Sequence, residues 1–349
     1  MAEPTVCITI VTFNSSRYLR RCLQAVLEQR DIDFSVVVVD NASTDGTPDI
    51  LEDFAGRVRV ICNPSNAGFA AAQNQAIRAS GSEWVLTLNP DVLLEPDFLR
   101  GLVDAGELDA GAGAICGKLL SIGPGFQPLP ERRIDSTGIF FTPAMRHFDR
   151  GWHELDRGRY DRSEYVFGAC AAAALYRRKM IEDVSVAGAF FDPDFFAYRE
   201  DADVAWRAQL FGWRCIYAPA AIGWHVRTMI PGNRSSVAPL VNMHSVKNRF
   251  LMRIKNSTAG VYRHCWLPMT LRDLAVIGGC VAVEPRSLPA FWRLMQCWGA
   301  AWESRRQIMR RRRVSDESLV RWFRFAPASE PLELEAPQTA DGLLAPDAA

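Results

Sequence analysis

The sequence predicts an α/β protein whose centre is a doubly wound, mostly parallel sheet. Over the first 120 residues, short apolar runs alternate with amphipathic runs of helical period. Such alternation is typical of parallel sheets, because each helix returns the chain to the same edge. In addition, polar residues follow each of the first four apolar runs, at the carboxyl edge where open α/β sheets bind ligands.

The first half of the chain contains four predicted strands, which are residues 6–12, 34–40, 57–62 and 83–89. The runs between them have apolar residues at helical spacing and predict helices over 15–29, 47–54 and 66–80. Pro48 suits the first turn of the second helix. Asn66 is the expected N-cap of the third helix.

The second half of the chain is less regular. Residues 121–165 are polar with scattered aromatic side chains, and regular structure resumes with 166–184. A helix is expected to begin near Glu200, and a strand follows over 213–219. Beyond these elements the chain has the pattern of amphipathic helices rich in tryptophan, up to an acidic tail at 326–349 that we expect to be disordered.

Composition excludes several classes of protein. The 40 basic and 40 acidic residues cancel, so the chain as a whole lacks the charge of a nucleic-acid-binding protein. Nine cysteines without a CxxC pair, and a first segment without a signal-peptide pattern, predict reduced thiols and a cytosolic location. No apolar run reaches the roughly 18 residues of a spanning helix, and the longest, 274–283, is too short to span.

The polar residues after the four strands favour a ligand site. Thr12 and Asn14 close the first strand, Asp40 ends the second, and Asn89 and Asp91 follow the fourth. Any one such group is an ordinary turn, but four at one sheet edge favour binding. The chain has no P-loop, and its one approximation to a dinucleotide fingerprint leads into a strand pattern instead of a helix.

Two carboxylates among these residues suit a nucleotide with a diphosphate. Asp40 is suited to accept a base N–H or a ribose hydroxyl, and Asp91 is suited to bind a metal. Mg²⁺ and Mn²⁺ take oxygen ligands and commonly bind one or two carboxylates together with substrate phosphates. The sequence therefore predicts a nucleoside diphosphate site that uses Mg²⁺ or Mn²⁺.

Another group of carboxylates lies in the second half. Glu200, Asp201 and Asp203 fall within four positions at a predicted helix start. The helix dipole favours an acidic residue there, but three exceed what capping requires. Because crowded like charges raise at least one carboxyl pKa, this group is a candidate general base.

Several segments resemble a known family. ITIVTFN, VVVVDNASTDGT, NAGFAAAQNQAI and LNPDV are similar to the nucleotide-binding half of the family 2 glycosyltransferases, which share the GT-A fold. VFGACAAAALYRR and the segment from FDPDFF to IGWH resemble the rhamnosyltransferase-like branch of that family. The resemblance implies a nucleotide-sugar-binding half over 1–120, an acceptor and catalytic half over 121–255, and a helical, membrane-associating region over 256–325.

The resemblance also implies which residues contact the donor. They are Thr12, Asn14, Asp40, Asn66, Gly68, Asn74, Asn89 and Asp91. Where the family often carries Asp-x-Asp, this chain has Asn89 and Asp91, so one negative charge is missing from the expected metal site. His225, in the run IGWH, corresponds to a distal histidine that completes the metal site in many relatives.

For the chemistry, the resemblance implies sugar transfer with inversion at the anomeric carbon. Asp201 corresponds to the base that deprotonates the acceptor hydroxyl, and Glu200 is the alternative base or an acceptor contact. The loop after His225, with Arg227 and Arg234, is either a cover over the diphosphate or an ordinary surface loop. The processive motif QxxRW is absent, which indicates one sugar added per encounter.

The implied substrates are a nucleotide sugar and a lipid-linked acceptor. Similarity to the rhamnosyltransferase-like branch favours dTDP-L-rhamnose, and UDP sugars stay open. The expected acceptor is a saccharide on a polyprenyl diphosphate, in the synthesis of bacterial surface polysaccharide. A basic group in the second half is a candidate diphosphate contact, and its members are Lys247, Arg249, Arg253 and Lys255.

These substrates imply a peripheral location on the inner face of the cell membrane. The apolar run 274–283 could lie in the interface, and the arginines 310–313 could meet anionic lipid. The tryptophans suited to headgroup depth are Trp266, Trp292, Trp298 and Trp302. The alternative is a helical subdomain with a solvated basic face.

Rival functions are a nucleotide-sugar-binding scaffold without turnover, a nucleotidyltransferase and a nucleic-acid binder. Asn89 in place of aspartate favours the scaffold, whereas the pair Glu200–Asp201 favours an enzyme. A nucleotidyltransferase needs a glycine-rich loop after the first strand, and this chain has none there. The balanced charge argues against nucleic acid. The sequence does not indicate an oligomeric state.

Overall fold

The computed structural model describes residues 3–227 and 239–332. Its strands are β1 (Val6–Thr12), β2 (Phe34–Asp40), β3 (Arg59–Cys62), β4 (Trp84–Leu88), β5 (Val92–Leu94), β6 (Ala112–Ser121), β7 (Ile134–Ser136), β8 (Ile139–Phe141), β9 (His147–Asp149), β10 (Glu164–Val166), β11 (Ala173–Arg177), β12 (Arg214–His225) and β13 (Glu330–Pro331). Its α-helices are α1 (Ser16–Leu27), α2 (Thr47–Asp53), α3 (Phe69–Arg78), α4 (Phe98–Glu107), α5 (Arg178–Val184), α6 (Glu200–Leu210), α7 (Pro239–Asn256), α8 (Ala259–Ala282), α9 (Pro289–Gln296), α10 (Trp298–Arg311) and α11 (Asp316–Val320).

One large sheet runs through both halves of the protein. Its order is β13–β10–β12–β6–β11–β4–β1–β2–β3, with β5 paired to β12 and β7 to β6. Strands β4, β1, β2 and β3 are parallel neighbours, while β11 lies antiparallel between β4 and β6. The predicted α/β class with a mostly parallel sheet is confirmed, and β11 makes the complete sheet mixed.

Helices cover both faces of the parallel half. Ile8 and Ile10 of β1 lie in the same core cluster as Leu23 of α1, whereas Cys7 packs with Ala76 of α3 on the other side. Successive residues of a strand point to opposite faces. This packing explains why β1 is buried along its whole length and is the doubly wound arrangement that the alternation predicts.

Two local predictions require correction. The helix α3 begins at Phe69, because Gly68 adopts a φ of 84° and Asn66 Oδ1 accepts a hydrogen bond from Gly68 N instead of capping the helix. The prediction that Asn66 is the N-cap is therefore wrong. The strand predicted at 213–219 continues to His225, because its later residues pair with β5 and β6.

The C-terminal helices include an unusually apolar one. Among the described residues, α8 is the one helix that is long and apolar enough to cross a membrane. Only 17% of its most apolar stretch is buried. The run 274–283, predicted as too short to span, is the end of this 24-residue helix. The prediction underestimated the helix because Arg263, Arg272 and Asp273 interrupt the apolar run.

The arginine run 310–313 is mostly used within the fold. Arg312 pairs with Asp316 and Arg313 pairs with Asp183, each at 2.7 Å. The first arginine of the run is exposed. Most of the charge of the run is thus paired within the protein, and its contact with anionic lipid stays a prediction.

The prediction that the tail is disordered from residue 326 is wrong for its first part. Glu330 and Pro331 form β13, which pairs with β10 at the sheet edge. Ser329 Oγ donates a hydrogen bond to Glu164 Oε1 at 3.0 Å. The chain thus follows the sheet as far as the described residues extend, and 333–349 lie outside them.

Candidate active site

The carboxyl ends of β1 and β2 form one hydrogen-bonded unit. The register pairs Thr12 with Asp40, and Thr12 Oγ1 donates to Asp40 Oδ1 at 2.9 Å. Ser43 N donates to Asp40 Oδ2 at 3.1 Å. Asn14, at a φ of 52°, accepts on Oδ1 from Thr44 N at 2.8 Å. These predicted donor residues therefore lie together, with Thr12 and Asp40 buried and Asn14 exposed.

The start of α3 contacts the acceptor half through its backbone. A Cβ on Gly68 would lie 2.7 Å from Phe196 O, and Ala70 N donates to that same oxygen at 3.1 Å. Buried Asn74 donates from Nδ2 to Phe191 O at 2.6 Å and accepts on Oδ1 from Phe191 N at 3.0 Å. The prediction of a donor contact for Asn74 is corrected, because its amide joins the two halves instead.

The sheet brings Asp91 and His225 together. His225 lies opposite Val92 in the antiparallel pairing of β12 with β5, and its Nε2 is 3.4 Å from Asp91 Oδ1. Its Nδ1 is 2.7 Å from Asp135 Oδ2. Burial lowers the pKa of His225, but Asp135 and Asp91 outweigh it and raise the pKa to about 10. Half-buried Asn89 precedes this pair at the end of β4.

Arg227 links two carboxylates, those of Asp135 and Asp149. Its Nε donates to Asp135 Oδ1 and its Nη2 to Asp149 Oδ2, each at 2.7 Å. Burial alone would lower the pKa of Arg227, but the negative charges of Asp149 and Asp135 outweigh this effect and raise the pKa above its ordinary value. The prediction that Arg227 covers the diphosphate is corrected, since these two carboxylates hold its guanidinium. Arg234 lies outside the described residues.

The sequence pattern did not indicate Asp135 and Asp149. Both lie in 121–165, where β7 and β9 have three residues each. A buried carboxylate such as Asp135, 1% exposed, needs a charged partner, and that partner is distant in sequence.

The acid pair lies at the start of α6. Asp201 Oδ1 accepts from Ala202 N at 2.7 Å, and Oδ2 accepts from Ala171 N at 3.3 Å. Glu200 is 7% exposed, and its Oε2 is buried without a hydrogen-bond partner. Burial and the charge of Asp149 raise the pKa of Asp201 to about 6, while burial and Asp201 raise the pKa of Glu200 to about 8. Both groups can exchange a proton near neutral pH.

The third carboxylate of this group, Asp203, has a structural role. It is fully buried and accepts hydrogen bonds from Arg207 Nε at 2.9 Å and Asn256 Nδ2 at 2.7 Å. Lys255 Nζ lies 3.2 Å from it. Asp203 therefore fastens α6 to α7, and only Glu200 and Asp201 remain for chemistry.

A series of ion pairs extends from the end of β4 into the second half of the chain. In order, its members are Asp91, His225, Asp135, Arg227 and Asp149. The charge of Asp149 also contributes to the raised pKa of Asp201. Asp149 is therefore the residue that links the aspartate–histidine pair electrostatically to the acid pair.

Asp91 and His225 would hold a divalent cation that a substrate completes, and the cation would displace the proton that the raised pKa keeps on His225 Nε2. Because Asp135 holds His225 Nδ1, the nitrogen that faces Asp91 is Nε2, and such second contacts orient histidine ligands. Among the described residues, no group of three or more His, Cys, Asp or Glu side chains is arranged to hold a metal. Mg²⁺ commonly binds through one or two protein ligands plus substrate phosphates, so a bound diphosphate would have to supply the remaining ligands.

A parallel nucleotide-type sheet, an aspartate–histidine pair at its edge and an acid pair in a second half define a glycosyltransferase of the GT-A fold. The chain belongs to glycosyl transferase family 2, because the sequence model of that family matches residues 7–185. It is 28% identical over 261 residues to the N-acetylglucosaminyl-diphospho-decaprenol L-rhamnosyltransferase of Mycobacterium tuberculosis, covering 70% of this chain and 83% of the relative. The predicted membership in the rhamnosyltransferase-like branch is thereby confirmed.

Other relatives match less of the chain. The putative glycosyltransferase EpsH of Bacillus subtilis is 31% identical over 106 residues, which is 30% of each protein. Among solved structures, the mannosyltransferase PcManGT from Pyrobaculum calidifontis, in complex with GDP-Man and Mn²⁺, has a TM-score of 0.51 at 18% identity and covers 89% of this chain and 86% of its own. S. aureus TarS 1–349 in complex with UDP has a TM-score of 0.51 at 15% identity, with coverage of 87% and 91%. These structures support the fold.

Proposed function

We propose that this glycosyltransferase moves L-rhamnose from dTDP-L-rhamnose, with inversion, onto a hydroxyl of a polyprenyl-diphosphate-linked saccharide. The observation that supports the proposal is the acid pair, Glu200 and Asp201, which Asp149 links electrostatically to the Asp91–His225 pair. In the proposed reaction the acid pair supplies a base on one side of the donor sugar, and the Asp91–His225 pair would hold a cation on the other side. The sugar would then be attacked from one face and released from the opposite face.

The donor nucleotide would lie across the ends of the parallel strands. Asp40 would accept from the base or ribose, with Thr12 and Asn14 holding the surrounding loop. Asn66, Gly68 and Asn89 would line the sugar-phosphate side, and Asp91 and His225 would hold Mg²⁺ or Mn²⁺. When bound, that cation supplies positive charge for the leaving diphosphate.

The proposed reaction exchanges one carbon–oxygen bond for another. Asp201 accepts the proton of the acceptor hydroxyl while that oxygen forms a bond to the anomeric carbon. The bond from the anomeric carbon to the diphosphate oxygen breaks, and the nucleoside diphosphate leaves with its electron pair. Glu200, whose Oε2 has no hydrogen-bond partner, would accept a hydrogen bond from the acceptor sugar.

The acceptor class follows from the relative and from an exposed apolar surface. The mycobacterial relative is named for a diphospho-decaprenol substrate. Most large hydrophobic side chains that are exposed among the described residues lie between Tyr262 and Trp302. Apolar area of this extent is typical of membrane or protein contacts. We therefore place the enzyme on the inner face of the cell membrane, in bacterial surface polysaccharide synthesis.

A panel of nucleotide sugars tests the donor assignment. We expect dTDP-L-rhamnose with Mg²⁺ or Mn²⁺ to raise the melting temperature more than UDP-glucose, UDP-GlcNAc or ADP-glucose, because ligands of the folded state stabilise it by mass action. Removing the metal with EDTA should weaken the shift. A larger shift with a UDP sugar would contradict the rhamnose assignment and favour a UDP-sugar transferase.

A further inference from the structure

A group of arginines between α7 and α8 is buried with more positive charge than its surroundings neutralise. Arg249 and Arg253 are 3% and 9% exposed and project toward Arg272 and Asp273 of α8. Arg253 Nη2 donates to Asp273 Oδ2 at 2.7 Å, whereas Arg249 Nη1 approaches Asp273 Oδ1 only to 3.8 Å. Among the described residues, one carboxylate thus serves three guanidinium groups.

Several donors of this group have no acceptor. Arg249 Nη1, Arg253 Nη1 and Arg272 Nε are buried without a hydrogen-bond partner in the described chain. The one acceptor in the same state beside them is Asp273 Oδ1, 3.8 Å from Arg249 Nη1, so three donors face a single unpaired acceptor among the described residues. An unsatisfied buried donor costs about 1–3 kcal/mol, and more when it is charged. Burial, and then the neighbouring arginines, lower the pKa of Arg249 to about 9. A bound anion that accepts from these nitrogens would remove both penalties.

Two lysines that were predicted to bind the diphosphate together with these arginines form other contacts instead. Lys255 Nζ is bound by Asp192 at 2.6 Å and by Asp203 at 3.2 Å. Lys247 Nζ donates to Asp194 O. Both lysines fasten α7 to the acceptor half, so the predicted set of diphosphate contacts is corrected to the arginines alone.

The group lies between the acid pair and the apolar helix surface. Arg199, directly before Glu200, has its Nη1 3.0 Å from His147 Nδ1, and the charges of Arg199 and Arg249 both lower the pKa of His147 after burial has done so. On the other side, Arg272 is flanked along α8 by exposed Leu271. The acid pair of α6, the buried arginines of α7 and α8 and the exposed apolar side chains of α8 thus lie on elements that pack against one another.

We infer that Arg249, Arg253 and Arg272 form the binding site for the diphosphate of the lipid-linked acceptor. A saccharide on an isoprenoid diphosphate presents a sugar, two phosphates and a hydrocarbon chain in that order. The acid pair, the arginines and the exposed apolar side chains follow in the same order on the neighbouring helices α6, α7 and α8. The inference rests on the proposed function for the identity of the sugar. The inference adds to that function a second binding site, which holds the acceptor and does not contact the donor.

The test uses Arg249→Gln and Arg253→Gln in the full chain, with Arg263→Gln as the matched control because Arg263 is an exposed arginine of α8. We expect each of the first two variants to raise KM for the lipid-linked acceptor about tenfold or more and to leave KM for the nucleotide sugar unchanged. The control should change neither value. An unchanged acceptor KM in both variants would overturn the site.

A binding measurement separates this site from a general lipid-headgroup site and from a structural role. Geranylgeranyl diphosphate should compete with the acceptor in the wild type, and at least tenfold more weakly in Arg249→Gln. Phosphatidylglycerol in mixed micelles should not compete, and equal competition would overturn the assignment. The melting temperature of unliganded Arg249→Gln should not fall, because a repelling charge is lost, and a clear fall would support a structural role instead.

These measurements also distinguish the inference from the proposed function. If the wild type transfers no sugar to any diphosphate-linked acceptor, the proposed function fails. Direct binding of geranylgeranyl diphosphate to wild type and Arg249→Gln then still decides whether the arginines bind an isoprenoid diphosphate.

Discussion

Asp201 and Glu200 owe their chemistry to burial. Each carboxylate is removed from water at the start of α6, and a neighbouring negative charge raises its pKa further. The helix N-terminus partly offsets this effect through its backbone N–H groups. The result is two acids that change protonation state near the pH at which a cytosolic base would operate.

The pH dependence of transfer should report the pKa of Asp201. We expect kcat/KM to rise with pH through about 6, because only the ionised carboxylate accepts a proton. Asp149→Asn should move this rise to lower pH, since the charge of Asp149 helps to raise the Asp201 pKa. Profiles of the wild type, Asp149→Asn and the exposed-residue control Asp104→Asn check this expectation, and an unmoved or raised midpoint in Asp149→Asn would contradict it.

Glu200 should destabilise the fold at alkaline pH. Its folded-state pKa, about 8, lies above the ordinary value of 4.5, so the fold tolerates the protonated form and is weakened as pH rises through 8. Glu200→Gln should raise the free energy of unfolding by about 1–3 kcal/mol at pH 9 and change it little at pH 4.5. Urea titrations at both pH values measure this, with exposed Glu52→Gln as control. A stabilisation independent of pH would argue against a buried ionising group.

The sequence indicates some residues of the site and does not indicate others. Asp40, Asp91 and Asp201 stand at strand ends or a helix start, where position alone suggests a site. Asp135 and Asp149 gain their role only from pairing with His225 and Arg227. No local pattern encodes a contact across some 80 to 90 positions, so the sequence could not supply it.

At the scale of elements, α3 is tied to the acceptor half at its first turn. Gly68 permits the contact because it has no side chain and adopts a positive φ. An alanine there would be strained by its φ and would also contact Phe196. This junction sets the distance between the two halves, and the site spans both of them.

Gly68→Ala should therefore cost more than the replacement of another glycine with positive φ, because φ 84° with ψ 163° is a conformation that is essentially restricted to glycine. Gly56 has a φ of 81°, and a Cβ added to it would meet nothing within 4 Å, so Gly56→Ala measures the cost of a positive φ without a steric contact, about 1–2 kcal/mol. We expect Gly68→Ala to lose about 1–3 kcal/mol more and to weaken transfer. Chemical denaturation of both variants measures the difference, and equal losses would contradict the close contact.

Elements with strong local periodicity were predictable, and elements defined by pairing were not. The strands β1, β2 and β4 and the helices α1 and α6 fall within a few residues of their predicted positions. The second part of β12 was not indicated, because it exists through its pairing with β5 and β6. The full length of α8 was hidden by the charged residues within it, of which Asp273 accepts a hydrogen bond from Arg253 of α7.

At the scale of the whole molecule, the exposed apolar surface of α8, α9 and α10 lies beside the acceptor half. Leu274 is 63% exposed and Trp292 is 68% exposed. Water contact with such a surface is unfavourable at about 25 cal/mol per Å², and insertion into the membrane interface would relieve it. The surface would also bring the enzyme to a lipid-linked acceptor.

Leu274→Glu should weaken membrane binding without disturbing the core, since the side chain is exposed. We expect about a tenfold loss in binding to vesicles of bacterial lipid composition, the effect of withdrawing one leucine from the interface. Leu108→Glu, with a side chain 54% exposed in the nucleotide-binding half, is the control and should bind as the wild type does. Equal loss in both variants, or none in either, would contradict a defined membrane surface.

In this account the protein transfers sugar only if Asp201 accepts the proton of the acceptor hydroxyl. Asp201→Asn keeps the size of the side chain and removes its basicity, so transfer should fall about 10²–10⁴-fold while the Kd for the donor nucleotide stays within a few-fold of wild type. The measurement is sugar transfer to the lipid-linked acceptor beside donor binding by calorimetry. Transfer by Asp201→Asn within a few-fold of the wild-type rate would contradict the proposed base.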